Sequence, residues 1–327
     1  MIVQSHYKPP WWFQNKHLQT LFPAILRCTA SIELIQEQFE LSDGDFIDLF
    51  WTTNRTVKNI PIMIVLHGLE GSIKSPYTKG ILSTIERNNW CGVLMHFRGC
   101  SGRHNRLARS YHSGETNDLH SLIIAIKERY PDSPLTAIGF SLGGNVLLKY
   151  LGEQQDQSLL SAAFTVSVPF DLADGASALG KGFSRIYQWH LLKHIREKMK
   201  DKFKYQKSPI ELTHIDKWND FFTFDDRVTA PLHGFTGVND YYTKSSSKQF
   251  LKKIKTPTHI LHSKDDPFMS FASIPVENEL SNSVTIELSE KGGHVGFFYL
   301  DKNKCPAYWA EKSFVDFMQQ QLADAKN

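Results

Sequence analysis

The chain has 327 residues, 41% of them hydrophobic and 22% charged, enough to bury a large core as a single α/β domain and too apolar for a disordered chain. Lys and Arg together (37) exceed Asp and Glu (34) by only three, so overall charge demands neither nucleic acid nor an anionic membrane as a partner. The four cysteines, Cys28, Cys91, Cys100 and Cys305, form no Cys-x-x-Cys pair, which argues against a zinc site or a disulfide framework and for a reducing compartment.

The first residues, Met1-Ile2-Val3-Gln4-Ser5-His6, lack the charged start and apolar run of a signal peptide, and no segment approaches the roughly 18 apolar residues of a membrane span. A cytoplasmic protein is expected, with association at a lipid surface left open. Ile32 to Leu41 and Phe46 to Thr52 read as antiparallel strands joined by a turn at Ser42-Asp43-Gly44-Asp45. Short apolar runs then alternate with helical patterns and predict a parallel sheet from Met63–Leu66, Gly92–Phe97, Leu135–Gly139, Ala162–Val168, Thr258–His262 and Val284–Leu288. Between Ser113 and Arg129, Leu119, Leu122, Ile123 and Ile126 recur at helical spacing, a stripe that packs on the sheet.

From Pro169 to about Ser247 the alternation breaks, so residues 169–247 are expected to form a helical cap inserted in a single domain spanning 1–327. Aromatic residues crowd there, among them Tyr187, Trp189, Phe221, Phe224, Tyr241 and Tyr242, most of them needed for packing and the rest available to line a pocket. Lys193 to Lys204 is locally basic, but Glu197 and Asp201 interrupt it at i,i+4 spacing. That predicts a solvated helix face, with lipid headgroup contact as the alternative.

The residues that carry chemistry stand where the predicted strands end. Gly139-Phe140-Ser141-Leu142-Gly143 joins a strand to a helix-like stretch, Asn145 to Leu151, and has the form of a nucleophile elbow, in which a strained serine needs small neighbours two positions away. Upstream, the apolar run ending at Leu66 leads into His67-Gly68-Leu69-Glu70-Gly71-Ser72, the form of an oxyanion loop; the N–H groups of Leu69 and Leu142 are the expected oxyanion donors, and His67 is expected to pin the loop. Downstream, Lys264-Asp265-Asp266-Pro267-Phe268 follows a strand and offers two carboxylates to orient a histidine, Asp266 preferred and Asp265 the turn's solvated or capping partner. Last comes Gly292-Gly293-His294-Val295-Gly296, whose glycines let a loop carry His294 over the elbow; the order Ser141, Asp266, His294 is the order an α/β-hydrolase fold imposes.

With these motifs the chain resembles the YheT-like family of α/β-hydrolases over nearly its whole length. Further residues carry the resemblance: His17-Leu18-Gln19-Thr20, Arg98-Gly99-Cys100-Ser101-Gly102, Phe224-Asp225-Asp226, Pro231-Leu232-His233-Gly234-Phe235 and Asp240-Tyr241-Tyr242. The resemblance implies a mostly parallel central sheet with a helical cap, and a carboxylesterase or lipase-like hydrolase that uses Ser141, Asp266 and His294 on a small-molecule or lipid ester without metal or cofactor. An acyltransferase or thioesterase on the same triad, or a non-catalytic binding module of the same fold, are the alternatives. Two departures from the pattern stand out: His259 and His262 lie in the strand before the acid, and Ser263 stands where many hydrolases have glycine.

Overall fold

A computed structural model describes residues 1–27 and 31–324; Cys28 lies outside the described residues, and Cys91, Cys100 and Cys305 are free thiols. The three-residue strand β1 (Ile2–Gln4) and helix α1 (Lys16–Leu26) precede the expected hairpin of β2 (Leu34–Glu40) and β3 (Phe46–Thr52). The following strands are β4 (Ile62–Leu66), β5 (Cys91–Met95), β6 (Leu135–Phe140), β7 (Ala162–Val166), β8 (Thr258–Ser263) and β9 (Val284–Ser289). They form one nine-stranded sheet in the order β1-β9-β8-β7-β6-β4-β5-β3-β2, parallel except where β3 meets β5 and β2. The strand β1 was not expected: it adds an edge by pairing in parallel with β9, Ile2 opposite Ile286.

Every residue of β4, β5, β6 and β7 is buried, the signature of parallel strands covered on both faces. Along β4, Ile62, Ile64 and Leu66 enter one apolar cluster while Met63 and Val65 enter the other, as the two-residue period of a strand requires. Helix α2 (Pro76–Arg87) covers the second face with Ile81, Leu82 and Ile85. Helix α3 (Asn117–Arg129) covers the first with the stripe Leu119, Leu122, Ile123 and Ile126, beside Val146, Leu147 and Leu151 of α4 (Leu142–Gln154).

Between β7 and β8 the chain is helical. It runs through α5 (Leu172–Leu179), the 22-residue α6 (Ser184–Tyr205), a 3-10 turn at Ile215–Lys217, α7 (Phe221–Phe224) and α8 (Ala230–Leu232), on either side of a π-helical stretch Asp225–Thr229, α9 (Val238–Ser245) and a 3-10 stretch Lys248–Lys253. These helices share an apolar cluster of their own, with Leu192, Ile195 and Met199 of α6 against Phe221, Phe224 and Val228. The basic run within α6 departs from a uniformly solvated face. Lys193 lies exposed, 4.0 Å from Glu197, and Asp201 accepts from His104 (2.8 Å) and Lys204 (3.1 Å). Lys198 and Lys202 turn inward instead: the Lys202 ammonium donates to Asn105 Oδ1 (2.7 Å) and the Arg109 carbonyl (2.9 Å), and burial brings its pKa down to about 8. Ordered acceptors offset the cost of burying the charge.

Helix α10 (Trp309–Asp324) closes the second face with Phe314 and Met318. It is tied to the sheet by one buried carboxylate. Glu287 of β9 accepts from Ser5 Oγ (2.5 Å), Trp309 Nε1 (2.6 Å), Ser313 Oγ (2.6 Å) and His259 Nε2 (2.9 Å), so the unexpected histidine in β8 has a structural partner. Burial works to raise the Glu287 pKa, but the bonds from His259, Ser313, Ser5 and Trp309 outweigh it and hold the carboxyl at about 2. A folded-state pKa below the unfolded value adds stability above the unfolded value, and that stability is lost as pH falls through the folded one. Urea unfolding of Glu287→Gln should therefore show a deficit on the order of 3 kcal/mol near neutral pH that shrinks as pH falls toward 3. A deficit independent of pH would remove this account of the bond network.

Candidate active site

The elbow is built where β6 runs into α4. Ser141 is held at φ 50°, ψ −118°, a region side chains avoid, with its N–H donating to the Val166 carbonyl of the neighbouring strand at 2.8 Å. Glycine is required on both sides. A Cβ on Gly139 would stand 2.5 Å from the Gly143 carbonyl oxygen, and one on Gly143 would stand 2.5 Å from that of His67. The strained turn lifts the Ser141 hydroxyl off the sheet and leaves Leu142 as the first residue of α4, whose N–H has no partner within the helix.

The loop after β4 lies against the same serine: a Cβ on Gly68 would come within 3.3 Å of the Ser141 Cβ. His67 closes that loop onto the segment just past β5, with Nδ1–H donating to the Gly68 carbonyl (2.7 Å) and Nε2 accepting the Phe97 N–H (3.1 Å). Full burial, with His96 nearby, pushes its pKa down to about 3 and keeps it neutral, as that bonding pattern needs. On either side of Leu69 the backbone is tied down, since Gly68 N–H donates to Tyr77 Oη (2.8 Å) and Glu70 N–H to Tyr111 Oη (2.9 Å). Glu70, at φ 53°, in turn accepts from Tyr111 Oη (2.7 Å) and from the Lys198 ammonium of α6. Burial works against the charge on Lys198, but the Cys100 sulfur and the Glu70 carboxylate more than offset it and raise its pKa. Helix α6 is thus clamped to the loop that carries Leu69, a link that the sequence around residue 198 does not announce.

The turn after β8 and the loop after β9 bring Asp266 and His294 to the elbow. His294 Nε2 is 2.9 Å from Ser141 Oγ, and His294 Nδ1 is 2.8 Å from Asp266 Oδ2. The other Asp266 oxygen accepts the Phe268 N–H at 2.8 Å, and the Phe268 ring stacks on the His294 imidazole with centroids 3.9 Å apart and planes 2° from parallel. Asp265, expected to be solvated or to cap its turn, stands apart from the imidazole, partly buried and bonded to the histidine loop. Its Oδ1 accepts the Gly293 N–H at 3.1 Å, its Oδ2 has no hydrogen-bond partner among the described residues, and burial raises its pKa. It holds the histidine loop from below, and Ser263 acts with it by donating to the Gly293 carbonyl at 2.7 Å.

The upper side of that loop is held by α1. Thr20 Oγ1 accepts the His294 N–H at 3.0 Å, and Gly293, at φ 59°, passes so close that a Cβ there would meet the Lys16 carbonyl oxygen at 2.6 Å. Ser167, at φ 53° just past β7, accepts the Val295 N–H at 3.0 Å. Thr20 and Ser167 are missing from the sequence-based list of site residues. The motif His17-Leu18-Gln19-Thr20 was a signal for the first; a positive-φ serine after a strand offers none.

Ser141 and His294 open into a cavity of about 820 Å³. Its wall is mostly apolar, formed by residues such as Leu21, Leu172, Leu179, Tyr187, Phe221 and Phe224 from α1 and the helices between β7 and β8. Polar side chains interrupt it, among them Glu70, His112, His194, Lys198 and His233, and also Asp225, which accepts from Thr229 Oγ1 (2.5 Å) and Tyr242 Oη (2.8 Å) and whose pKa burial raises to about 6. Among the described residues, no cluster of His, Cys, Asp and Glu is disposed to hold a metal ion, and no helix is long and apolar enough to cross a membrane.

The sequence matches the alpha/beta hydrolase fold family over residues 61–299. Over 321 residues, covering 97% of this chain and 94% of the relative, it is 38% identical to the Escherichia coli (strain K12) protein named "Putative esterase YheT". It is 28% identical over 304 residues to human Phospholipase ABHD3, covering 90% of this chain and 74% of that one. With Monoacylglycerol lipase of Saccharomyces cerevisiae it shares 30% identity over 269 residues, covering 79% and 59% of the two chains. Among solved structures, the Pyrococcus furiosus esterase Pf2001 superposes with a TM-score of 0.56 over 98% of this chain and 97% of that one. At 15% identity, that likeness speaks for the fold alone.

Proposed function

The chain belongs to the alpha/beta hydrolase fold family, together with the YheT-like proteins, and we propose that it cleaves carboxylic esters through an acyl-enzyme formed on Ser141. The observation that carries this reading is the unbroken chain of short contacts from Ser141 Oγ through the His294 imidazole to Asp266, at the mouth of an apolar cavity.

In the proposed cycle His294 Nε2 takes the Ser141 proton as Oγ bonds to the ester carbonyl carbon. The resulting oxyanion is held by the N–H groups of Leu69 and Leu142, and Asp266 stays ionised beside the imidazolium. Collapse breaks the bond to the alkoxide, which leaves with the proton from Nε2. A water then gives a proton to Nε2 as it attacks the acyl carbon; collapse breaks the bond to Ser141 Oγ, which takes that proton back from Nε2 as the carboxylic acid leaves. Protein groups carry every proton, so the cycle calls for no cofactor. Residues 169–247 act as a cap over the cavity, and their apolar wall receives the acyl chain. A lipid ester fits that wall, and the relatives named phospholipase and monoacylglycerol lipase support the choice.

Labelling with a fluorophosphonate tests the reading directly: one adduct on Ser141, absent in Ser141→Ala, is expected, and native protein that takes no label would mark a binding module instead. Turnover of p-nitrophenyl esters tests the cavity. Each buried methylene is worth about 0.8 kcal/mol, so the four added from butyrate to octanoate should raise kcat/KM about two hundredfold. A preference for acetate would contradict an acyl chain seated in this cavity.

A further inference from the structure

We infer that the face around the cavity mouth, made by α1 and the first half of α6, docks the protein on an anionic lipid surface. Five large apolar side chains stand out of it: Leu18 is 50% exposed, Ile25 71%, Phe183 47%, Ile186 53% and Trp189 57%. They form two stripes. Leu18 and Ile25 are seven residues apart on α1, and Phe183, Ile186 and Trp189 follow at three-residue steps along α6, so each set shares one side of its helix. The stripes adjoin, because the His17 ring lies 4.4 Å from that of Phe183 and bonds to Tyr187 Oη at 3.1 Å. Ile25, Ile186 and Trp189 also line the cavity, which makes this face its rim. A rim of exposed apolar side chains around a binding cavity is rare on a protein that meets only water.

The charge around the rim selects the partner. No Asp or Glu occurs from Met1 to Ile32, or from Gly175 to Arg196, while exposed Lys16, Arg185 and Lys193 stand on the same two helices. Lys193 lies over the Trp189 ring, 5.6 Å from its centroid, and Glu197, one turn further on, ends the stretch without acid. Apolar side chains flanked by cations and free of carboxylates match an anionic membrane interface, where the apolar groups enter the acyl boundary and the cations meet headgroups. A water-soluble partner would have to bring both an apolar patch and carboxylates. The near-neutral charge of the whole chain hides this asymmetry. Docking itself is independent of the chemistry at Ser141; its role, delivering an ester from the membrane straight into the cavity, rests on the ester hydrolase reading.

The test is sedimentation of the full chain carrying Ser141→Ala with vesicles of phosphatidylcholine, with or without phosphatidylglycerol. Binding to the anionic vesicles that weakens with salt is expected. Arg185→Glu with Lys193→Glu should lower it about tenfold or more, and Leu18→Asp with Phe183→Asp should abolish it. With Ser141 restored, both double variants should turn over soluble p-nitrophenyl butyrate at the parent rate, which shows that they are folded. A chain that stays in the supernatant, or binding that neither pair of substitutions changes, overturns the proposal. So does a dimer that Leu18→Asp with Phe183→Asp dissociates without any vesicle binding, since a second copy would then cover the face. Vesicle binding in a protein that never hydrolyses esters would support the docking surface and remove the esterase reading alone.

Discussion

Ser141→Ala and His294→Ala are each expected to lower kcat for a p-nitrophenyl ester by about 10⁵-fold to 10⁶-fold, and the double variant by little more. The non-additivity follows from geometry. In the proposed cycle Ser141 Oγ is activated only through the 2.9 Å contact to His294 Nε2, so losing either group removes the same step. What survives is the contribution of the oxyanion donors and the cavity. Neither substitution should disturb the fold, because alanine still follows Phe140 at the elbow and the histidine loop keeps its backbone bonds to Thr20, Ser263 and Asp265. Near-parent turnover in either single variant, with unchanged thermal unfolding, would mean that the ester bond is broken elsewhere.

Asp266→Asn is expected to cost about 10⁴ in kcat, whereas Asp265→Asn should cost far less. The difference lies in what each carboxylate faces. Asp266 Oδ2 accepts from His294 Nδ1, which fixes the tautomer that leaves Nε2 free to take the serine proton. An asparagine there can present its NH₂ to Nδ1 and stabilise the wrong tautomer. Asp265 accepts a backbone N–H from Gly293, a bond an amide oxygen takes equally well, and its other oxygen has only a long ion pair, 3.9 Å, to the exposed Lys291. Its replacement also takes a poorly compensated charge out of a partly buried place, so Asp265→Asn should leave stability unchanged or raise it. A reversed order of the two rate losses, in folded proteins, would hand the orienting role to Asp265.

Much of this architecture could be read from the sequence, because its signals are local. A run such as Ile62–Leu66 is apolar at every position and only five residues long, which suits a strand buried on both faces better than a helix. A serine between Gly139 and Gly143 reflects a steric demand made within five residues of chain. The missing parts depend on partners far away in sequence. Nothing in Ile2-Val3-Gln4 distinguishes it from an extended tail until β9 presents a free edge to pair with. Lys198 and Lys202 sit in a run that reads as solvated, yet Glu70 and Asn105, on loops of the sheet, draw them inward. Thr20 and Ser167 act through single hydroxyls on a backbone more than a hundred residues away, a relation with no periodicity to betray it.

The grip of the two chain ends on each other sets an order of events during synthesis. β1 pairs with β9, and the Thr20 hydroxyl, which donates locally to the Lys16 carbonyl, accepts from His294 at a sequence separation of 274. On a ribosome moving from the first residue to the last, the opening segment must therefore wait, unpaired and carrying its exposed tryptophans, until nearly the whole chain has emerged. Closing so long a loop is slow relative to forming local contacts, because its entropy must be surrendered before any non-local contact is gained. Ser141 will already stand at its elbow by then, on a sheet whose middle strands come from the middle of the chain. The contact between Ser141 and His294 thus forms only at the end of folding, so on the proposed mechanism a partly made chain already bears its serine while still unable to use it.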